Sequence, residues 1–191
     1  MKYVTRSLKG TYGYIRKQRN FEIIKTLILY AMAFGIFLIG YITLGTKKSL
    51  WSVFAVLALL PACKSLVGVI MFARFSSLSS DVYDRLRAGA GTIPALYENI
   101  LTTNEKTYYI PFICCAAGSL MVLSKEYKDD EKKLREHLTD VLNKAGHKAV
   151  VKLFFDEDDM FARLLEINAK YADEENAAGE RILNTIKAVS L

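Results

Sequence analysis

Hydrophobic and polar positions fall into two regimes along the chain. From Thr26 to Thr46, 21 consecutive residues carry no charge. A helix rising about 1.5 Å per residue needs about 20 apolar residues to cross about 30 Å of hydrocarbon, and this run reaches that length. A second run, Ser49 to Ala73, is 25 residues long and is interrupted only by Lys64. Lys47, Lys48 and a few small residues are all that separate the two, so they read as a helical hairpin covering about 26–46 and 49–73. Tyr41 and Trp51, near the connection, fit interfacial anchors.

After a short polar boundary at Ser76–Ser80 the pattern changes to that of a small α/β (α+β) domain spanning 76–191. A helical region is expected over Asp81–Thr102, broken at Gly89–Thr92, with Pro94 opening its second half. Two apolar β-type runs follow, TYYIPFICCAA and SLMVLS, around a tight turn at Gly118–Ser119, and Pro111 suggests a late start or an edge position. Asp129, Asp130 and Glu131 open a helix with the stripe Leu134, Leu138, Val141, Leu142 and Ala145, stopped by Gly146. AVVKLFF at 149–155 reads as a buried strand. Helices then start at Asp156–Asp159, with Phe161, Leu164, Leu165 and Tyr171 inward, and at about Asp173, with Ile182, Leu183, Ile186 and Val189 inward. The order α-β-β-α-β-α-α, with a passage long enough for a crossover, predicts a mixed sheet of about three or more strands flanked by helices.

Charge changes this picture more than composition does. The net charge is +6 over 191 residues. Residues 1–74, however, hold 11 Lys/Arg against one acid, Glu22, while residues 75–191 hold 15 against 19. Basicity is therefore a property of the apolar part and its leader. Lys2, Arg6, Lys9, Arg16, Lys17, Arg19 and Lys25 precede the first run, and the connection offers only Lys47 and Lys48. The positive-inside rule then keeps the 1–25 leader, both termini and the domain in the cytoplasm, at a bacterial-type cytoplasmic membrane. The leader's basic residues, interleaved with Tyr3, Tyr12, Tyr14 and Phe21, are expected to meet anionic lipid head groups. Ala31-Met32-Ala33 has a small-x-small form, but cutting there would leave a strongly apolar end, which disfavours a signal peptide. No nucleic-acid partner is expected, because no base-reading module follows the leader.

Candidate chemistry is sparse. Lys64, inside the second run and near Pro61 and Ser65, marks either an interface charge or a lysine reaching for the head groups. The run Asp156–Asp159 lacks the glycine and terminal acid of a calcium loop and reads as a helix cap. His137 and His147 belong to no metal-spaced cluster, and Cys114 and Cys115 alternate to opposite faces. Neither a nucleophile elbow around Ser119 nor a phosphate loop at Gly89–Gly91 is present. No catalytic residue, metal or cofactor is expected.

A helix, a hairpin, a helix and a strand resembles the order of the restriction-endonuclease-like core. That resemblance implies an acid on one hairpin strand and acid-x-Lys on the next. Here ICCAA has no acid, and Ser124-Lys125 has none two places before the lysine, so nuclease chemistry is not implied. The sequence is best read as a membrane-anchored interaction or regulatory module, with a protein partner or a homo-oligomer formed through the apolar helices. An enzyme of unfamiliar family, or an accessory subunit of a transporter or other membrane complex, are the alternatives.

Overall fold

The computed structural model describes residues 9–44, 50–103, 105–125, 127–171 and 177–191, with the backbone alone at 43–44, 50–52 and 128. The protein is α+β. The chain divides into two units, Ile15–Ser76 on one side and Met1–Tyr14 with Ser77–Leu191 on the other.

The first unit holds α1 (Tyr14–Leu44) and α2 (Leu50–Ala73). Both are long and apolar enough to cross a membrane. α1 starts well before the uncharged run, because the basic leader has no helix breaker after Gly13 and continues the helix. Pro61 lies inside α2. Trp51 and the Lys47–Lys48 pair fall outside the described side chains.

The second unit contains α3 (Ser80–Ala90), β1 (Ala95–Thr102), β2 (Thr107–Ala116), β3 (Ser119–Leu123), α4 (Glu131–Lys144, after a single 3-10 turn), β4 (Val150–Phe154), α5 (Glu157–Tyr171) and α6 (Ala177–Val189). The sheet order is β1-β2-β3-β4, antiparallel except for the parallel β3–β4 pair, which α4 joins. Leu134, Leu138 and Leu142 of α4 and Ile182, Leu183 and Ile186 of α6 cover one face. Leu86 and Ala90 of α3 and Met160, Leu164 and Ile167 of α5 cover the other. The sheet is thus buried on both sides, which is why its strands are near-continuous apolar runs. Cys115 joins the first layer and Cys114 the second, as alternation requires.

Several expectations need correction: Ala145, Leu165 and Val189, expected to face inward, are exposed, and four further differences concern the strands. The second half of the first helical region is strand β1. A short apolar run between a glycine break and a polar loop does not distinguish helix from strand, and Pro94 serves as a stop rather than a first turn. β2 is an interior strand despite Pro111, and AVVKLFF is an edge strand with Val150 62% exposed. The β2–β3 turn is Ala117–Gly118, both at positive φ, one residue earlier than expected.

Pro111 is tolerated through a matched kink. The β1–β2 register is constant, yet the Glu98–Pro111 position is unpaired and Glu98 has φ 51°. Across that point both strands exchange faces: Tyr97 and Phe112 lie in one core layer, whereas Leu101 and Ile110 lie in the other. Pairing of β2 with β3 begins only at Phe112–Leu123, so no donor is demanded of the proline there.

The outer edge of β1 is held by both ends of the unit. The Tyr97 N–H donates to the Gly10 carbonyl and the Leu191 N–H to the Ile100 carbonyl, each at 2.9 Å. Gly10 has φ 76°, and a Cβ there would lie 2.6 Å from Leu96 Cδ2, so only glycine fits. The buried Glu98 carboxylate accepts from the Ser77 hydroxyl and, at 3.0 Å, from the Leu78 N–H. Neighbouring residues of one kinked strand therefore fasten the chain just before α1 and just after α2.

Candidate functional site

The polar groups of the helical unit converge on one place. Glu22, the single acid of the first 74 residues, is Lys25's partner at 3.1 Å, and its Oε2 accepts from the Ser65 hydroxyl at 3.2 Å. The Thr26 hydroxyl lies 2.8 Å from Ser65 Oγ and 2.7 Å from the Glu22 carbonyl. A serine on α2 and a threonine and a glutamate one turn apart on α1 thus form a relay of hydrogen bonds. A Cβ on Gly68 would approach Glu22 Oε2 at 3.3 Å, so the glycine leaves room for the carboxylate.

Below this relay the unit buries small residues and exposes large ones. Thr26, Ala33 and Gly40 are buried on α1 at intervals of seven, and Ala55 and Ala62 are buried on α2 at the same interval. A seven-residue period keeps one seam facing a partner helix, and small side chains let backbones approach closely. Leu27, Ile28, Ile42, Val56 and Leu60 are instead at least 60% exposed. The spacing of the small residues carries this signal in the sequence, whereas the lengths of the two runs alone do not.

The Thr26–Ser65 contact also sets the level of Lys64 relative to α1. It sits exposed on α2 beside Ser65, level with Lys25, the last charge of α1 before its apolar run. Lys64 makes no ion pair among the described residues. Arg16, Lys17 and Arg19 follow one another on the first turns of α1, the first two exposed. Lys9 donates to the Ser190 carbonyl at 2.8 Å. Lys2 and Arg6 lie outside the described residues. Of the leader's aromatics, Tyr12 stacks on Tyr83 at 4.1 Å and Tyr14 is buried, so both rings pack against protein.

In the sheet domain, the residues that chemistry would use are otherwise engaged. Burial pushes the Cys115 thiol up to about 11 and the Cys114 thiol well above its ordinary value, which disfavours a nucleophilic thiolate. His147 Nε2 lies 3.2 Å from Thr185 Oγ1. No group of three or more His, Cys, Asp or Glu among the described residues could hold a metal ion. The acidic run works as a cap: Asp156 Oδ1 accepts from the Asp158 N–H at 3.3 Å, Glu157 pairs with Lys125, and Asp158 pairs with Arg85 at 2.7 Å. Gly89 and Gly91 are explained by packing, since a Cβ would meet Phe161 at 3.0 Å and Asn168 at 2.5 Å respectively.

A groove of about 510 Å³ lies beyond the carboxyl ends of the parallel strands, lined by Lys125, Phe154, Phe155, Asp156 and Asp159, but its lysine is neutralised by Glu157. A wider one of about 570 Å³ runs between the β1–β2 turn and α4. His137 lines it, and burial lowers the His137 pKa, outweighing the attraction of Asp140. A histidine whose folded pKa is depressed contributes stability above its unfolded value near 6.5 and loses it as pH falls. The unfolding midpoint should therefore drop between pH 7 and pH 5, and His137→Gln should drop less, as read by circular dichroism.

Comparison with protein-family models, with curated proteins and with solved structures finds no match to this chain.

Proposed function

We propose that the chain is an integral membrane protein whose two apolar helices tether a mixed-sheet domain at the cytoplasmic face of a bacterial-type membrane, where the domain acts as an interaction or regulatory module. The observation that carries this reading is the inside-out distribution in α1 and α2, with small and polar residues buried and large apolar ones outward. A soluble protein would bury those leucines and isoleucines, whereas lipid solvates them.

Lys25 and Lys64 lie at one level, where the charges of the leader end on α1 and the single charge of the second apolar run falls. Beyond it α1 runs uncharged from Thr26 to Leu44, about 28 Å by helical rise, while the second apolar run, 49–73, extends to both sides of Lys64. Lys64 then extends its ammonium along the helix toward the head groups. The Glu22–Ser65–Thr26 relay then lies at the boundary, where its hydrogen bonds are shielded from competing water. Arg16, Lys17, Arg19, Lys25, Lys64 and Arg74 attract anionic lipid at about 1 kcal/mol each near the surface. The absence of a convergent catalytic set among the described residues favours binding over chemistry.

Cysteine labelling in intact cells tests the orientation, in a Cys63→Ser background with Cys114 and Cys115 buried. A membrane-impermeant maleimide should modify Ser49→Cys from outside and leave Asn143→Cys untouched until the cells are opened. The reverse pattern would overturn the arrangement.

A further inference from the structure

The two edges of the sheet are treated differently. The edge at β1 is occupied by Gly10 and Leu191, but the outer edge of β4 has no backbone partner among the described residues. The Val150 N–H donates to the Gly118 carbonyl at 3.0 Å, and the Phe154 carbonyl accepts from Ser124 at 2.8 Å. In a parallel ladder a residue directs both peptide groups to the same neighbour, so 150, 152 and 154 face β3 while Val151 and Leu153 present theirs outward. An open strand edge is a template for another strand.

We propose that this edge pairs antiparallel with β4 of a second copy of the chain. The charge pattern selects that occupant. Lys148 precedes the strand, exposed, and Asp156 follows it, so antiparallel pairing of two copies sets each basic end against the other's acidic end. Parallel pairing would set like against like. One register places outward-facing residues opposite one another and also brings Lys148 to Asp156. It pairs Val151 with Leu153 and sets Val150, 62% exposed, against Phe154. Lys152 then lies on the two-fold axis opposite its own copy. Like charges directly opposed weaken a strand pair, so Lys152 holds the association in a weak, reversible range and keeps the edge from recruiting unrelated strands. The pairing does not depend on the membrane orientation argued above, although tethering copies to one surface would raise their effective concentration.

The test uses the full chain in detergent, in the Cys63→Ser background. Lys152→Cys should oxidise to a disulfide dimer, because the non-hydrogen-bonded pair on the axis brings two Cα atoms to about 4.5 Å, within disulfide reach. Lys148→Cys, displaced from its own copy, should not. Adding Leu153→Pro should abolish the cross-link while the unfolding midpoint stays within a few degrees, since that proline removes an outward N–H and no bond to β3. Should the proline variant fail to fold, Lys148→Glu in the Lys152→Cys chain replaces it and should lower the cross-linked fraction about tenfold, whereas a further Asp156→Lys in that chain should restore it. In sedimentation, Lys152→Thr should shift the equilibrium toward dimer. A Lys152→Cys chain that stays monomeric, cross-links equally at 148, or cross-links regardless of Leu153→Pro and Lys148→Glu would overturn the proposal. So would an edge that takes only another protein's strand.

Discussion

Replacing Phe112 with Ala is expected to destabilise the sheet domain by about 3–5 kcal/mol, the usual cost of removing a fully buried aromatic ring. Phe112 is wholly inaccessible and meets the Tyr97 ring edge-on at 5.3 Å. Tyr97 in turn meets Tyr83 at 4.9 Å, and Tyr83 stacks on Tyr12, so the ring ends an aromatic column that ties the leader to the sheet. Burial among these groups pushes the Tyr97 pKa up to about 12, consistent with a dry column. A shift of about 4–8 °C per kcal/mol is typical of a domain near 100 residues, so thermal unfolding should move by more than 10 °C. Phe112→Leu, which keeps most of the volume, should lose less than half as much.

Glu98→Ala should cost about 3 kcal/mol, by removing the charged acceptor of two hydrogen bonds and leaving the buried Leu78 N–H without a partner. The alanine also inherits a left-handed backbone at φ 51°. Glu98→Gly, which relieves that conformation, should be less damaging by about 1 kcal/mol, and Glu98→Gln should be milder still because it keeps one acceptor oxygen. If the three variants unfold at the same denaturant midpoint, Glu98 does not hold the junction after α2 in the manner described. Since the Tyr97 N–H holds Gly10, protease sensitivity near Ser77 should rise in the alanine variant before sensitivity near Gly10 does.

The parts of the fold legible in the sequence are those where one physical signal dominates. The long apolar runs identify α1 and α2, and the stripe Leu134, Leu138, Leu142 with its acidic start and glycine stop identifies α4. The parallel β3–β4 crossover follows from the length of that β-α-β passage. β1 was hidden because Leu96, Ile100 and Leu101 suit a helix face as well as a strand that exchanges faces at Glu98. Only tertiary pairing with β2 decides between them. The interior position of Pro111 was equally invisible, since it depends on β3 ending at Leu123 and on the unpaired Glu98 opposite. The helix contact at Glu22, Thr26 and Ser65 needed the register of two helices. With that register known, Lys64 shares the level of Lys25.

The membrane reading rests on the outward apolar surface of α1 and α2, and alkaline extraction of isolated membranes tests it most directly. The account predicts that the full chain stays with the pellet at pH 11, floats with lipid vesicles in a density gradient, and is released only by detergent. Recovery of the chain as a monodisperse species in the soluble fraction without detergent would contradict it, because the exposed leucines, isoleucines and valines of Thr26–Ala73 would then have to be covered by protein instead of lipid.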